Sequence, residues 1–166
     1  MGIMPASAAP RLLRLETSLL YQFSVISNRV GGTVHALCRE RFGVSAAAWR
    51  VMAHLGELQP VTAKEIAKRS AMDSVNLSRA LNLLDELGYV ERRIDPSDRR
   101  RIILHLTATG QAVYDEVVPY TIAAEQRLLS ELGAAERATL RKLMKRVWER
   151  SAAMHDADGD AETPQD

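Results

Sequence analysis

The chain has 166 residues, 46% hydrophobic and 26% charged, enough for one domain with a sizeable core or a small domain with helical extensions. A single cysteine, Cys38, excludes an intrachain disulfide framework, and no run of 18 apolar residues suggests a membrane span. The formal net charge of +1 hides an asymmetry: five of the 21 acids fall in the last eleven residues, leaving 22 basic against 16 acidic side chains elsewhere, a balance that suits a polyanionic partner. With no basic, apolar signal segment read in the first fourteen residues, these features predict a cytoplasmic protein without a membrane partner.

Residues 1–10 are small and contain Pro5 and Pro10, and they read as a flexible arm. From Arg11 to Phe42 the residues Leu12, Leu15, Leu19, Phe23, Ile26, Val30, Val34 and Leu37 recur at helical spacing. That spacing predicts one long helix, bent at Gly31-Gly32. Gly43 reads as its stop and Ser45 as the cap of a compact helix with Trp49, Met52 and Leu55 on one face. Thr62 with Glu65 three residues on forms a capping box for "AKEIAKRS". After a turn around Ala71-Met72, Asp73 or Ser74 caps a helix that ends at Gly88. Its core stripe is Leu77, Leu81 and Leu84, and its outer surface carries Ser74, Asn76, Ser78, Arg79 and Asn82.

The period then changes. "YVERRI" and "RIILHLT" read as strands joined by the turn "DPSD", with Ile102, Leu104 and Leu106 alternating against Ile103 and His105. Thr107 or Thr109 caps a second long helix, in which Pro119 is expected to introduce a kink. Gly133 breaks the pattern before a last helix, and residues 155–166 read as a disordered acidic tail. The expected fold is therefore mainly α with a small β-hairpin. Two helices joined by a short turn, the second polar on its outer face, make a helix-turn-helix, and the hairpin beside it is a wing. A tight turn needs Asp, Pro and Ser. It does not need Arg92, Arg93, Arg99, Arg100 and Arg101, and these guanidiniums are placed where DNA phosphates or a negative minor groove would lie.

From about Val44 to Val117 the chain resembles the MarR (multiple antibiotic resistance regulator) family of winged helix-turn-helix transcription factors. The resemblance rests on "WRVMAHL", on "TAKEIAKRSAMDSVNLSRALNLLDELGYVERRIDPSDRR" and on "LHLTATG". It implies a DNA-binding domain over residues 43–107. An N-terminal dimerisation helix over 11–42 and C-terminal dimerisation helices over 108–154 would flank it. It also implies a homodimer that presents two recognition helices and two wings to a pseudo-palindromic operator in double-stranded DNA. Leu12, Leu15, Leu19, Leu128, Leu129, Leu132, Leu140, Leu143 and Val147 are the core or interface candidates.

The residues expected to serve DNA are Ser74, Asn76, Ser78 and Arg79 on the recognition helix, Thr62 and Lys64 at the preceding helix start, and Arg92, Asp98, Arg99 and Arg100 in the wing. Asn pairs with adenine and Arg with guanine in bidentate fashion, and free N–H groups at a helix start attract phosphate. In the family an Asp-x-Arg at the wing tip pairs internally while its Arg enters the minor groove, which maps onto Asp98 and Arg100.

The resemblance further implies a repressor released by a small aromatic or phenolic acid, held between the dimer helices and the winged helix. Tyr21, Ser24 and Asn28 share a face of the first helix and could line such a pocket with Trp49, while Arg14 neutralises the carboxylate; the alternative is a polar stripe beside a core Trp. Cys38 raises a redox-responsive regulator as an alternative, but it lies near the end of the first helix, without visible activation, and reads as a small buried hydrophobe. His35, Cys38 and Glu40 hint at a metal-responsive regulator, yet the spacing supplies no four-ligand set, so neither metal nor cofactor is expected. Catalytic signatures such as GxSxG, HExxH or a phosphate-cradling Gly loop are lacking, so no enzyme is expected. A non-specific architectural DNA-binding protein remains the other rival and would need more positive charge.

Overall fold

The computed structural model describes residues 12–161, with side chains placed to residue 154. A short 3-10 turn, Leu15–Thr17, precedes six helices and one hairpin. The helices are α1 (Leu19–Phe42), α2 (Ala46–Leu58), α3 (Ala63–Ser70), α4 (Ser74–Glu86), α5 (Ala108–Leu128) and α6 (Ala134–Ala161), and the strands are β1 (Val90–Ile94) and β2 (Ile102–Leu106). Among the described residues no helix is long and apolar enough to cross a membrane.

Each boundary has a local cause. Ser18 accepts the Tyr21 N–H, so α1 starts at Leu19 and not at Arg11 as the apolar spacing suggested. The 3-10 turn stands where the first two turns of that helix were expected. Gly43 ends α1 with φ +68, a conformation only glycine adopts without steric cost. Ser45 caps α2 and Asp73 caps α4 through the Asn76 N–H at 2.8 Å. The predicted capping box forms in full at Thr62 and Glu65. α5 runs on through Pro119 as one continuous helix. The backbone of α6 continues to Ala161, seven residues into the segment read as a disordered tail. The arm at residues 1–10 and the last five residues lie outside the described part of the chain.

β1 and β2 pair antiparallel from Val90↔Leu106 to Ile94↔Ile102. Val61 adds an isolated antiparallel bridge to Leu104, with the Leu104 N–H donating to the Val61 carbonyl at 2.8 Å, so the hairpin is anchored to the segment between α2 and α3. The expected alternation in β2 holds only near the core: Ile103 is buried along with Leu104 and Leu106, while Ile102 and its partner Ile94 are exposed where the hairpin projects beyond the body.

The core gathers Trp49, Val51, Met52 and Leu55 from α2, Ile66 from α3, Leu77, Ala80, Leu81 and Leu84 from α4, Leu104 and Leu106 from β2, and Val113 and Val117 from α5. From α1 only Val34 and Cys38 are buried. The "LTATG" string has a physical reason to sit where it does. Thr107 accepts the Gly110 N–H, its hydroxyl donates to the Gly88 carbonyl, and its N–H donates to the Tyr89 carbonyl at 3.0 Å. A Cβ on Gly110 would stand 2.0 Å from that same Tyr89 oxygen, so only glycine lets α5 pass this close to the start of β1.

Outside this core the helices are bare. Leu19, Leu20, Phe23 and Ile26 are exposed on α1, and Leu143, Met144, Val147 and Trp148 on α6, Trp148 at 64%. None of the nine residues named as core or interface is buried within one chain: Leu12, Leu15, Leu19, Leu128, Leu143 and Val147 are exposed, and Leu129, Leu132 and Leu140 are intermediate.

Candidate nucleic-acid interface

Helix α3, the turn at Ala71 and helix α4 form the helix-turn-helix, with the β1–β2 hairpin beside it. Ala71 makes the turn in the left-handed region, at φ 50. α4 buries Leu77, Ala80, Leu81 and Leu84, and this packing turns Ser74, Val75, Asn76, Ser78, Arg79 and Asn82 outward. Val75, absent from the sequence-based candidates, is an apolar side chain 55% exposed in the first turn of a groove-sized helix face.

The wing loop folds on its own acids. The Asp95 carboxylate accepts the Ser97 N–H at 2.8 Å and the Ser97 hydroxyl at 2.6 Å. The Arg101 N–H donates to the Asp98 carbonyl and the Asp95 N–H to the Arg101 carbonyl, both at 2.9 Å. The Asp98 side chain accepts the backbone N–H of Arg100 at 3.0 Å. The expected pairing of the Asp98 carboxylate with the Arg100 guanidinium is therefore replaced by a bond to the main chain, because the tight loop brings that N–H within reach first.

The five arginines divide into two sets. Arg92 turns onto α4 and binds Asp85 through Nε at 2.7 Å. Arg93 pairs with Glu91 on its own strand. Arg101 lies 3.8 Å from both Glu65 of α3 and Asp95. Two of these pairs, Arg92–Asp85 and Arg101–Glu65, link the wing to α4 and α3. Arg92, expected among the DNA residues, has its guanidinium engaged by Asp85 and Asn82 within the chain. Among the described residues Arg99, Arg100 and Arg79 have no acidic partner, and neither does Lys64.

Thr62 is likewise committed. Its N–H and its hydroxyl both donate to Glu65 Oε2 at 2.7 Å, and its oxygen accepts the Glu65 N–H. The Thr62 N–H and hydroxyl at the N-terminus of α3 are thus engaged by the carboxylate of its own chain. Those bonds, the backbone one foremost, hold the Glu65 carboxyl below its ordinary value. The Asn76 N–H and side chain do the same for Asp73, as the Ser97 hydroxyl and N–H do for Asp95. Asn76 retains its carbonyl and one amide hydrogen, since the other is donated to Asp73.

The ligand residues expected from the sequence are not brought together within one chain. Trp49 is buried in the core with its ring 6.0 Å from that of Tyr114. Tyr21, Ser24 and Asn28 are exposed on the part of α1 that projects from the core, and Arg14 precedes the helix. The physical reason is the late entry of α1 into the core, at Val34. A groove of about 500 Å³ does lie between α1 and α5, lined by Val30, Val34, Leu37, Tyr120, Ala124 and Leu128, with Arg29 and Arg127 beside them. Cys38 is fully buried, and burial pushes its thiol up from the ordinary value. Among the described residues no three His, Cys, Asp or Glu side chains are grouped to hold a metal ion.

Comparison with known proteins agrees with this geometry. Residues 42–101 match the family model described as MarR family. The multiple antibiotic resistance protein MarR of Escherichia coli is 31% identical over 107 residues, covering 63% of this chain and 73% of that protein. The HTH-type transcriptional repressor NicR of Pseudomonas putida is 27% identical over 88 residues, covering 53% of this chain and 56% of that repressor. A MarR-family transcriptional regulator from Silicibacter pomeroyi superposes with a TM-score of 0.72 at 26% identity, covering 82% of this chain and 94% of that one. A MarR-family regulator from Listeria monocytogenes, solved in complex with a 26mer DNA, shares the fold with a TM-score of 0.81 at 17% identity, covering 90% of this chain and 99% of that one. A polar recognition-type helix, a hairpin tipped with unpaired arginines and these relatives lead to one conclusion: the chain belongs to the MarR family of DNA-binding transcriptional regulators with a winged-helix fold.

Proposed function

We propose that this regulator is a homodimeric, site-specific repressor that reads a pseudo-palindromic operator and leaves it when a small aromatic or phenolic acid binds. The observation that carries the DNA part is the division of the arginines: Arg92 and Arg101 hold the wing against the helices, while Arg99, Arg100 and Arg79 keep their charge for an outside anion. In this reading Ser74, Asn76, Ser78 and Arg79 face the major groove, Lys64 meets phosphate, and Arg99 and Arg100 lie along the minor groove. Residues 43–107 then form the DNA-binding unit, with 11–42 and 108–154 serving dimerisation.

The dimer reading is supported by apolar side chains that one chain leaves in water, from Leu19 to Ile26 on α1 and from Leu143 to Trp148 on α6. An amphipathic helix whose stripe finds no cover is marginal on its own, and a two-fold partner offers the same stripe back. The repressor reading is supported by the relative NicR, an HTH-type transcriptional repressor. The effector reading is supported by the groove between α1 and α5, where Arg29 and Arg127 flank an apolar lining suited to an aromatic carboxylate. A ligand there would favour a spacing of the two α4 helices that no longer matches half-sites one DNA turn apart.

The test selects duplexes from a random library with the whole protein and measures affinity for the enriched sequence against random DNA at several salt concentrations. An enriched two-fold motif, bound by a sedimenting dimer at least about a thousandfold more tightly than random DNA, supports the proposal. A monomer, or equal affinity for both duplexes with steep salt dependence, refutes it. A panel of benzoic and cinnamic acids that neither raises the melting temperature nor loosens the selected duplex removes the effector alone.

A further inference from the structure

The Arg92 guanidinium crosses from β1 to α4 and touches two side chains there. Its Nε donates to one Asp85 carboxylate oxygen at 2.7 Å, and one terminal nitrogen lies 2.6 Å from the same oxygen as an ion pair. The same terminal nitrogen donates to Asn82 Oδ1 at 3.4 Å. A guanidinium has donors only, so the end of the Asn82 amide that faces it has to be the carbonyl. This fixes the sense of an amide whose two ends are otherwise interchangeable. Nδ2 and its two hydrogens are directed away from Arg92. Asn82 is exposed and follows Ser78 by one turn and Val75 by two on the outward stripe of α4.

We infer that Arg92 is a positioning residue for sequence readout: by holding the Asn82 carbonyl it turns the amide hydrogens of Asn82 outward, which selects guanine over adenine at one base pair of each half-site. A free Asn amide reads adenine with both ends, donating to N7 and accepting from the N6 amino group. With the carbonyl turned back to Arg92, only the donors face the groove. Guanine offers them two acceptors, N7 and O6, whereas adenine opposes one of them with its own amino group. Asp85 is part of the device, since its carboxylate takes the Nε hydrogen bond and the ion pair that aim the guanidinium. The inference rests on the proposed placement of α4 in the major groove.

The experiment selects duplexes from a randomised library with the wild-type protein, Arg92→Leu, Asn82→Ala, Asp85→Asn and the Arg92→Leu/Asn82→Ala double variant, with melting curves to confirm folding. The wild-type motif is expected to prefer guanine over adenine at one position per half-site by on the order of fivefold, about what one hydrogen bond discriminates. Asn82→Ala brings that preference close to even. Arg92→Leu admits adenine at the same position, leaves the other positions unchanged and adds nothing in the double variant. A strut without a readout role would weaken all sequences alike and leave every base preference intact, and that result overturns the inference. An unchanged guanine preference in Asn82→Ala overturns it too. If Arg92→Leu binds no duplex, Asp85→Asn, which loosens the guanidinium without removing it, is expected to admit adenine, and its failure to do so counts against the inference. A wild-type selection without any motif instead refutes the placement of α4 in the groove.

Discussion

Gly110→Ala and Gly32→Ala are the same chemical change in two helices, and the structure assigns them opposite signs. Alanine is favoured over glycine in a helix interior by about 1 kcal/mol. At Gly32 of α1 an added Cβ meets nothing within 4 Å, so this term acts alone and the variant gains about 0.5–1 kcal/mol. At Gly110 the Cβ would stand 2.0 Å from the Tyr89 carbonyl oxygen, where ordinary contact begins at 3.4 Å, and the obstacle is backbone. The first turn of α5 or the start of β1 has to move by more than 1 Å, at an overpacking cost of about 1–3 kcal/mol. The shift also strains the Thr107 N–H bond to that same oxygen, worth about 1 kcal/mol. Against the helix gain, a net loss of about 1–3 kcal/mol is expected. Urea unfolding at one fixed protein concentration measures both variants, since association makes apparent stability concentration-dependent. A Gly110→Ala protein as stable as the wild type, or two shifts of the same sign, would refute the argument.

Arg100→Ala is expected to weaken binding of the selected duplex by about 1–3 kcal/mol with no change in melting temperature, whereas Arg93→Ala, whose guanidinium already pairs with Glu91, should change affinity far less; titration by fluorescence anisotropy compares them. Cys38, buried and with its thiol pushed up, should react with a thiol reagent in the native protein far more slowly than in the unfolded chain, and peroxide should leave DNA binding intact; fast native labelling would revive a redox role. Glu65, Asp73 and Asp95 have folded values below their ordinary ones, so the unfolded chain binds protons more readily as pH falls past about 4.5. Their stabilisation is complete above that pH and is lost as the pH drops through the folded values; Glu65→Gln should flatten this acid limb of a stability–pH curve. His35 is lowered by burial first and by Arg50 second, so the same sign holds below its ordinary value of 6.5, and His35→Gln should flatten the decline just beneath that pH.

Much of the interface was legible in the chain because the signals are local. The capping box at Thr62 and Glu65, the Asp73 cap, the leucine stripe of α4 and the strand–turn–strand period depend on neighbours a few residues apart, and each stands where those neighbours put it. The start of α1 was misplaced because apolar spacing continues through Leu12 and Leu15 while the Ser18 cap resets the backbone. The ligand set is not assembled within one chain for a different reason. A shared helical face says nothing of how deep that helix lies, and Trp49 is turned into the core while Tyr21, Ser24 and Asn28 stay outside it.

By itself the sequence determined which segments are helices, where the hairpin turns, and that arginines crowd that turn, since propensity, capping and periodicity act within one or two turns of chain. Only the tertiary structure decided which arginines are available. Arg92 and Arg101 meet Asp85 and Glu65 across gaps of seven and 36 positions, and no periodicity reports a contact made by folding strand onto helix. The charge of the wing is written in its residues, but the direction of each guanidinium is set by where the core places the acids around it.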